Sequence, residues 1–291
     1  MKEMTLPHEK QLTLDAIVND LQALPNVKAI VLGGSYATGR ATEQSDLDVG
    51  IYYTDATPFS IDSVKEIAHK YAIDGSPVVT GFYEWGPWVN GGAWINTASG
   101  KVDFLYKNID QIHGTIEKAQ KGIWENHYEQ QPPYGFASVY YLAETEICIA
   151  LYDPEGIINH LKEHIRVYPP KLKQAIIQQS LWSTEFTIMH IVGYVEKNDV
   201  YNLAGSLARA MKNLTMTLFA INEIYPMSDK RVIDILEETS KIPANLREKT
   251  EQVLCIDRAN LPNHLALLQS LFAEVVGLAD GVYKPVYVLG K

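Results

Sequence analysis

The sequence predicts an α/β (α+β) fold, in which an N-terminal domain with a mixed β-sheet flanked by helices precedes a C-terminal all-α helical bundle. Apolar runs with strand-like alternation lie before residue 110, and apolar stripes with helical spacing dominate after it. A chain of 291 residues with 46% hydrophobic side chains can bury one large core or two. We predict a first domain over 1–115, a connector over 116–135 and a helical domain over 136–291.

The elements of the first domain follow from residue spacing and cap residues. They are a helix from Leu14 to Leu24, strands over 27–34 and 46–53, a helix from Ser60 to Tyr71, and strands over 76–85 and 101–107. In the second strand, a period of two puts Asp46 and Asp48 on one face. The apolar residues Leu47 and Val49 then lie on the other face, so the pattern predicts a half-buried strand.

Long apolar stripes predict the helical part of the chain. The predicted helices cover 175–197, 201–224, 228–238, 244–255 and 261–278. Glu185 is an unusual acid within the first of these stripes. Three interpretations are open: it lines a pocket for a cationic substrate, it lies at the helix edge, or it pairs with Arg209.

Composition narrows the class of partner. The net charge is −10, from 25 basic and 35 acidic side chains, which argues against binding to nucleic acid. It favours a cationic small-molecule partner through long-range attraction, the alternative being that the charge serves solubility. The two cysteines form neither a metal spacing nor a disulfide framework. The N-terminal residues lack a signal-peptide core, and no apolar run approaches the roughly 18 residues that span a bilayer. We therefore expect a cytoplasmic protein that does not engage a membrane.

The stretch VLGGSYATGRATEQSDLDVGIYY, residues 31–53, combines a bare turn with paired acids. Backbone N–H groups at Gly33, Gly34 and Ser35 offer an anion site, to which the serine hydroxyl adds a donor. Two carboxylates about 5 Å apart repel by roughly 3 kcal/mol at an effective dielectric of about 20. Asp46 and Asp48 therefore require a proton or a cation, and with phosphate nearby Mg²⁺ is favoured.

These residues resemble the signature of the DNA polymerase β-type nucleotidyltransferase superfamily, in which a Gly-Ser turn is followed by Asp-x-Asp on the next strand. That family has a third carboxylate on a later strand, where Asp103 lies in this chain. The helical half is similar in layout to the C-terminal bundles of aminoglycoside- and lincosamide-modifying nucleotidyltransferases. The segment LYDPEG, residues 151–156, also occurs at that junction in many of them.

The resemblance implies transfer of a nucleoside monophosphate, AMP from ATP or the equivalent from another NTP, to a hydroxyl of a small-molecule acceptor such as an antibiotic. It implies two Mg²⁺ ions, both held by Asp46 and Asp48, and one also by Asp103. The turn at Gly33, Gly34 and Ser35 would bind the β- and γ-phosphates. Two further residues flank this site, Arg40 and Ser45, and either contact phosphates or serve the loop and its turn.

The general base is open among three carboxylates, Asp103, Glu84 and Glu144. Some antibiotic-modifying relatives carry the base at the domain junction, so we favour Glu144, the alternative being a solvated helix carboxylate. Two interpretations are also open for the segment FYEWGPWVNGGAW, residues 82–94. Its aromatic side chains either stack on a nucleobase or sugar or pack as core.

A different class of function is also compatible with the motif, a non-catalytic or antitoxin-like nucleotidyltransferase module that acts by binding nucleotide or a partner protein. The long helical domain argues against it, because such modules are usually small. Some relatives build their sites from two subunits, so a homodimer is compatible with the resemblance.

Overall fold

The structure, a computed structural model, describes residues 6–287 and divides the chain into two compact units. Unit 1 comprises the described residues up to Glu117 together with Asn126–Gln131 and Tyr140–Val167. Unit 2 comprises Lys118–Glu125, Pro132–Val139 and the described residues from Tyr168 onward. The outer limits of the two predicted domains, residues 1 and 291, lie outside the described range.

Unit 1 is built on a six-stranded mixed sheet. Its strands are β1 (Ala29–Leu32), β2 (Leu47–Tyr53), β3 (Val78–Val79), β4 (Gly92–Thr97), β5 (Gly100–Asn108) and β8 (Ile149–Tyr152), with the short strand β6 (Asn126–His127) elsewhere in the unit. The helices are α1 (His8–Gln22), α2 (Gly34–Ala37), α3 (Ile61–Tyr71), α5 (Tyr140–Ile147) and α6 (Ile157–Ile165), and α4 (Ile109–Gln120) begins here. The strand order is β3-β4-β5-β2-β1-β8, and only β2 and β5 run parallel in it.

One face of this sheet is core and the other carries the polar residues of the motif. Leu47, Val49 and Ile51 on β2 are buried against the apolar positions of β1, β4 and β5, and α1 and α3 cover them. Asp48 lies between these positions on the opposite face and is only partly buried. The period-two pattern therefore gives the observed faces, and the mixed sheet with flanking helices confirms the predicted fold class.

The stretch predicted as a strand over 76–85 is mostly a turn, and that prediction was wrong beyond its first residues. Only Val78–Val79 pairs with β4 as a strand, and residues 82–85 form a turn in which Tyr83 has a φ of 63°. The chain reverses there and returns as β4, which the sequence analysis did not predict as a separate strand. The segment between Val79 and Gly92 contains four aromatic residues, whose strand propensity masked the turn in the sequence pattern.

Residues 140–167 belong to unit 1, although the sequence analysis grouped them with the helical domain. The reason is that β8 adds to the sheet edge, where Leu32 of β1 pairs with Ile149. Glu144, on α5, is accordingly a residue of unit 1 and not of the helical part.

Unit 2 is helical. It contains α7 (Pro170–Glu196), α8 (Val200–Ile221), α9 (Val232–Glu237), α10 (Leu246–Leu254) and α11 (Leu261–Leu278), with the short strand β7 (Phe136–Ala137). Leu181 and Ile188 of α7 and Leu207 and Leu214 of α8 are buried at their packed faces. Among residues 6–287, no helix combines the length and the apolarity needed to cross a membrane.

Glu185 on α7 is fully buried, and its carboxylate binds the segment that follows α11. It accepts hydrogen bonds from the Tyr283 hydroxyl and from the backbone N–H groups of Val286 (2.9 Å) and Tyr287 (2.8 Å). Arg209 instead donates to the Ser183 hydroxyl at 3.2 Å. An open cavity of about 740 Å³ lies nearby, but the residues that line it do not include Glu185. Its role is to anchor the C-terminal segment.

Replacing Glu185 by glutamine is expected to lower the free energy of unfolding of the protein by about 2 kcal/mol. The amide loses charge-assisted hydrogen bonds, and its NH₂ group faces one of the two backbone donors, because Val286 and Tyr287 donate to different carboxylate oxygens. Urea denaturation followed by circular dichroism measures the change. Glu196→Gln is the matched control, because Glu196 is exposed on the same helix, and it should change stability by less than about 0.5 kcal/mol. Equal losses in the two variants would contradict the anchoring role.

Candidate active site

The turn at Gly33 and Gly34 lies close to Asp48. At the end of β1, the Gly33 N–H donates to the Asp48 carbonyl at 2.8 Å, which fixes the turn on β2. Gly34 then adopts a φ of +58°, which side chains disfavour. A Cβ on Gly34 would come within 1.7 Å of Asp48 Oδ2. The bare glycine therefore lets the Asp48 carboxylate lie directly against the turn.

Asp48 and Asp103 occupy neighbouring positions on one face of the sheet. They are register partners in the parallel pair β2 and β5, where adjacent strands lie about 4.8 Å apart. Asp46 immediately precedes β2, one step outside the ladder that fixes the other two. The structure thus brings Asp48, Asp103 and Gly34 together, and Asp46 lies at the entry to the same strand.

The donor set of this face consists of carboxylate oxygens, which suit a hard cation such as Mg²⁺. Magnesium in phosphate-transfer sites is usually bound through one or two carboxylates together with substrate phosphates. In the described part of the chain, no three histidine, cysteine, aspartate or glutamate side chains are arranged to hold a metal ion by themselves. The residues therefore fit an ion that shares its ligands with a phosphate chain.

The part of the chain that contains the turn and the Asp-x-Asp motif is similar to a known protein family. Residues 14–83 match the family model "Nucleotidyltransferase domain", which covers the turn and the Asp-x-Asp motif. This match supports the DNA polymerase β-type nucleotidyltransferase superfamily for residues 14–83. Residues 138–230 match a second family model, a domain of unknown function (DUF4037). The first match supports nucleotidyl transfer in general.

One solved structure with similarity over most of the chain is that of a nucleotidyltransferase-like protein from Exiguobacterium sibiricum. The similarity covers 94% of this chain and 78% of that one, at 11% identity and a TM-score of 0.39. A search of curated proteins found no match to the chain.

The loop of the nucleotidyltransferase domain between Ser35 and Asp46 is held by a buried lysine. Lys10 Nζ, on α1, donates to the Ser45 carbonyl at 2.6 Å and to the Glu43 carbonyl at 2.9 Å. The Ser45 hydroxyl accepts from the Thr42 N–H at 2.9 Å, which is the turn-stabilising alternative for this residue. Arg40 contributes its backbone N–H, which donates to the Ser35 carbonyl at 3.0 Å.

Lys10 is a residue that the sequence analysis missed, although a signal was present. It is 7% exposed and begins the buried stripe of α1, which continues with Leu14, Ile17 and Leu21 at helical spacing. A lysine at the first position of an apolar stripe needs a polar partner. Here the partners are loop carbonyls, and the loop leads directly to Asp46.

Glu144 lies on the same sheet face as the aspartates, but in a covered part of it. Its carboxylate forms an ion pair with Lys107, which is four residues beyond Asp103 on β5. Burial raises the pKa of the phenols of Tyr52 and Tyr141, and the charge of Glu144 adds to both shifts. The tyrosines therefore stay neutral around a lysine–glutamate pair.

Glu84, the other candidate base, is exposed in the turn before β4. Its Oε1 lies against Gly81, 2.9 Å from where a Cβ on that glycine would be. This contact belongs to the turn itself. Of the three proposed bases, Asp103 is the one that the strand register places beside Asp48.

Proposed function

We propose that the protein is a Mg²⁺-dependent nucleotidyltransferase that moves AMP from ATP to a hydroxyl of a small, cationic acceptor. The observation that carries the proposal is the contact of the Asp48 carboxylate with Gly34 and its register pairing with Asp103. These residues join a phosphate-binding turn to two carboxylates on one open face. The net charge of −10 supports a cationic acceptor.

In the proposed reaction, the acceptor oxygen forms a bond to the α-phosphorus of ATP. The bond from that phosphorus to the bridging oxygen of the β-phosphate breaks, and pyrophosphate leaves with the electron pair. The proton of the acceptor hydroxyl passes to a carboxylate and then to solvent. Attack and departure are in line, so the protein contributes by orienting the two substrates and by stabilising the charge of the transition state electrostatically.

Backbone groups of the turn would bind the β- and γ-phosphates. Gly33 donates its N–H to the sheet, so Gly34 and Ser35 are the residues left to offer donors, and Gly33 contributes conformation. Asp46, Asp48 and Asp103 would hold Mg²⁺, which supplies charge neutralisation at the phosphates and polarises the attacking oxygen. Lys10 keeps the loop that leads to Asp46 in place.

Asp103 is the general base that the geometry favours over Glu144. Asp103→Asn is expected to lower kcat by about 10³-fold, because it removes both the proton acceptor and a metal ligand. Glu144→Gln is expected to lower kcat by less than about tenfold, because the Glu144 carboxylate is already engaged by Lys107. Steady-state pyrophosphate release measures both. A larger loss in Glu144→Gln would instead assign the base to Glu144.

Pyrophosphate release tests the overall proposal. The wild-type protein, with ATP and Mg²⁺, is assayed against aminoglycosides, lincosamides and other hydroxyl compounds, and the product is identified by mass as the acceptor plus AMP. Replacing ATP by the other nucleoside triphosphates defines the nucleotide preference. Mg·ATP binding without release on the whole panel would favour a binding module over an enzyme.

A further inference from the structure

We propose that the stacked indoles of Trp85 and Trp94 form the platform on which the acceptor lies, so that the acceptor is a ring-bearing molecule. The inference rests on the proposed nucleotidyl transfer and names the substrate class of that site.

Trp94 lies beside the candidate catalytic carboxylates. It is the register partner of Asp103 in the antiparallel pair β4 and β5, and such partners point to the same face of a sheet. Asp103 is in turn the register partner of Asp48, which contacts Gly34. Across the open face, the proposed phosphate-binding turn is therefore followed by the carboxylates of Asp48 and Asp103 and then by the indole of Trp94.

The indole pair is stacked and accessible. The ring centroids of Trp85 and Trp94 are 4.3 Å apart with an interplanar angle of 25°, and Trp94 is 48% exposed. Gly92 makes room for Trp85, because a Cβ there would lie 3.3 Å from Trp85 Cη2 and 1.8 Å from the Phe104 carbonyl oxygen. A stack that served as core would be covered, whereas this one presents a flat apolar surface next to charged groups.

The segment that carries Trp85 is fixed on both sides, so the platform is preorganised. Gln130 donates to the Trp85 carbonyl and accepts from the Trp88 N–H at 3.1 Å. The Tyr83 hydroxyl donates to Asp55 at 3.0 Å. A rigid aromatic surface loses little conformational entropy when a ligand binds to it.

In-line displacement assigns the platform to the acceptor. The pyrophosphate leaves toward the turn at Gly34, so the attacking hydroxyl approaches the α-phosphorus from the opposite side. On this face, the opposite side from Gly34 across Asp48 and Asp103 is the side of Trp94. A ring whose face lies on Trp94 has its hydroxyl directed to Asp103, the proposed base.

The charges around the platform suit a cationic ring. Asp103 is the neighbour of Trp94 on β5. Asn96, two residues beyond Trp94 on β4, donates a hydrogen bond to the Asp74 carboxylate at 2.7 Å. Lys101 is a cation on this face, at the strand position opposite Asn96, and Lys107 further along β5 is paired with Glu144. Two carboxylates and an aromatic face together attract a positively charged ring.

Trp94→Ala and Trp85→Ala test the platform, with Trp182→Ala as the matched control, because Trp182 is also a stacked tryptophan and is 44% exposed. The probes are Mg·ATP, kanamycin and lincomycin, measured by titration calorimetry and by pyrophosphate release. Both platform variants are expected to raise the acceptor KM, or its Kd, about tenfold or more, with Mg·ATP affinity unchanged. Trp94→Phe should recover most of the loss, and Trp182→Ala should match wild type.

Three outcomes would overturn the platform. They are an unchanged acceptor KM in Trp94→Ala, a fall in its Mg·ATP affinity that shows the stack holding the nucleobase, and the absence of binding by any ring-bearing probe to wild type. If wild type binds the probes through Trp94 but releases no pyrophosphate, the platform stands and the proposed nucleotidyl transfer fails. Circular dichroism verifies that each variant is folded.

Discussion

Replacing Asp46 and Asp48 together by asparagine is expected to abolish Mg²⁺-dependent binding of ATP and to lower kcat/KM by at least about 10³-fold. Asp48 lies against the turn at Gly34, Asp46 lies two residues before Asp48, and in the proposed site both carboxylates hold the cation. Asparagine keeps their size while removing the charge that a cation needs. A metal at a phosphoryl centre contributes several kcal/mol of transition-state stabilisation, which corresponds to a loss of this size. Calorimetry with Mg·ATP and pyrophosphate release measure the two effects separately.

Asp62→Asn is the control for this double variant. Asp62 is exposed in the first turn of α3, so its replacement removes one negative charge without touching the open face of the sheet. It should leave Mg·ATP affinity and turnover within about twofold of wild type. Unchanged Mg·ATP affinity in the double variant, with its fold verified by circular dichroism, would exclude the assigned site.

Gly34→Ala is expected to lower kcat/KM by about 10²-fold. The added methyl group would come within 1.7 Å of Asp48 Oδ2, so the carboxylate or the turn must move. Misplacement of a reacting geometry by about 1 Å can cost 10²-fold in rate. Pyrophosphate release and the affinity for Mg·ATP measure the loss.

Gly39→Ala separates this contact from backbone strain. Gly39 has a φ of +68°, close to the +58° of Gly34, but no atom lies within 4 Å of where its Cβ would be. Both variants should lose about 1 kcal/mol of stability from the left-handed backbone. Only Gly34→Ala should lose activity beyond threefold. Equal activity losses in the two variants would assign the effect to strain in the loop and not to the Asp48 contact.

The local pattern predicted the faces of β2 but not its neighbours. Alternation alone places Asp48 opposite Val49, because side chains in a strand alternate with a period of two. That Asp103 lies beside Asp48 depends on a parallel pairing between distant segments, and only the family resemblance indicated it. Trp94 lies beside the candidate site because it is on β4, a strand that the glycine- and aromatic-rich sequence did not predict.

Contacts distant in sequence also explain the remaining differences. Glu185 was an anomaly in an apolar stripe, and its partners are two backbone N–H groups and a hydroxyl from about a hundred residues later, which no spacing rule locates. The α1 stripe did include Lys10, but its partners are carbonyls of a loop. Local patterns specify which residues need a partner, whereas tertiary structure determines which partner they find.

The pairing of β1 with β8 has a consequence for the order of synthesis. Leu32 leaves the ribosome long before Ile149, so the sheet of unit 1 is incomplete while α3, β5 and α4 are being made. At roughly 5–20 residues per second, the edge of β1 waits on the order of ten seconds for its last strand. A nascent chain or a fragment that stops at residue 115 exposes that edge to other chains. An N-terminal piece that contains all six strands therefore extends at least to Tyr152, and unit 1 continues to Val167.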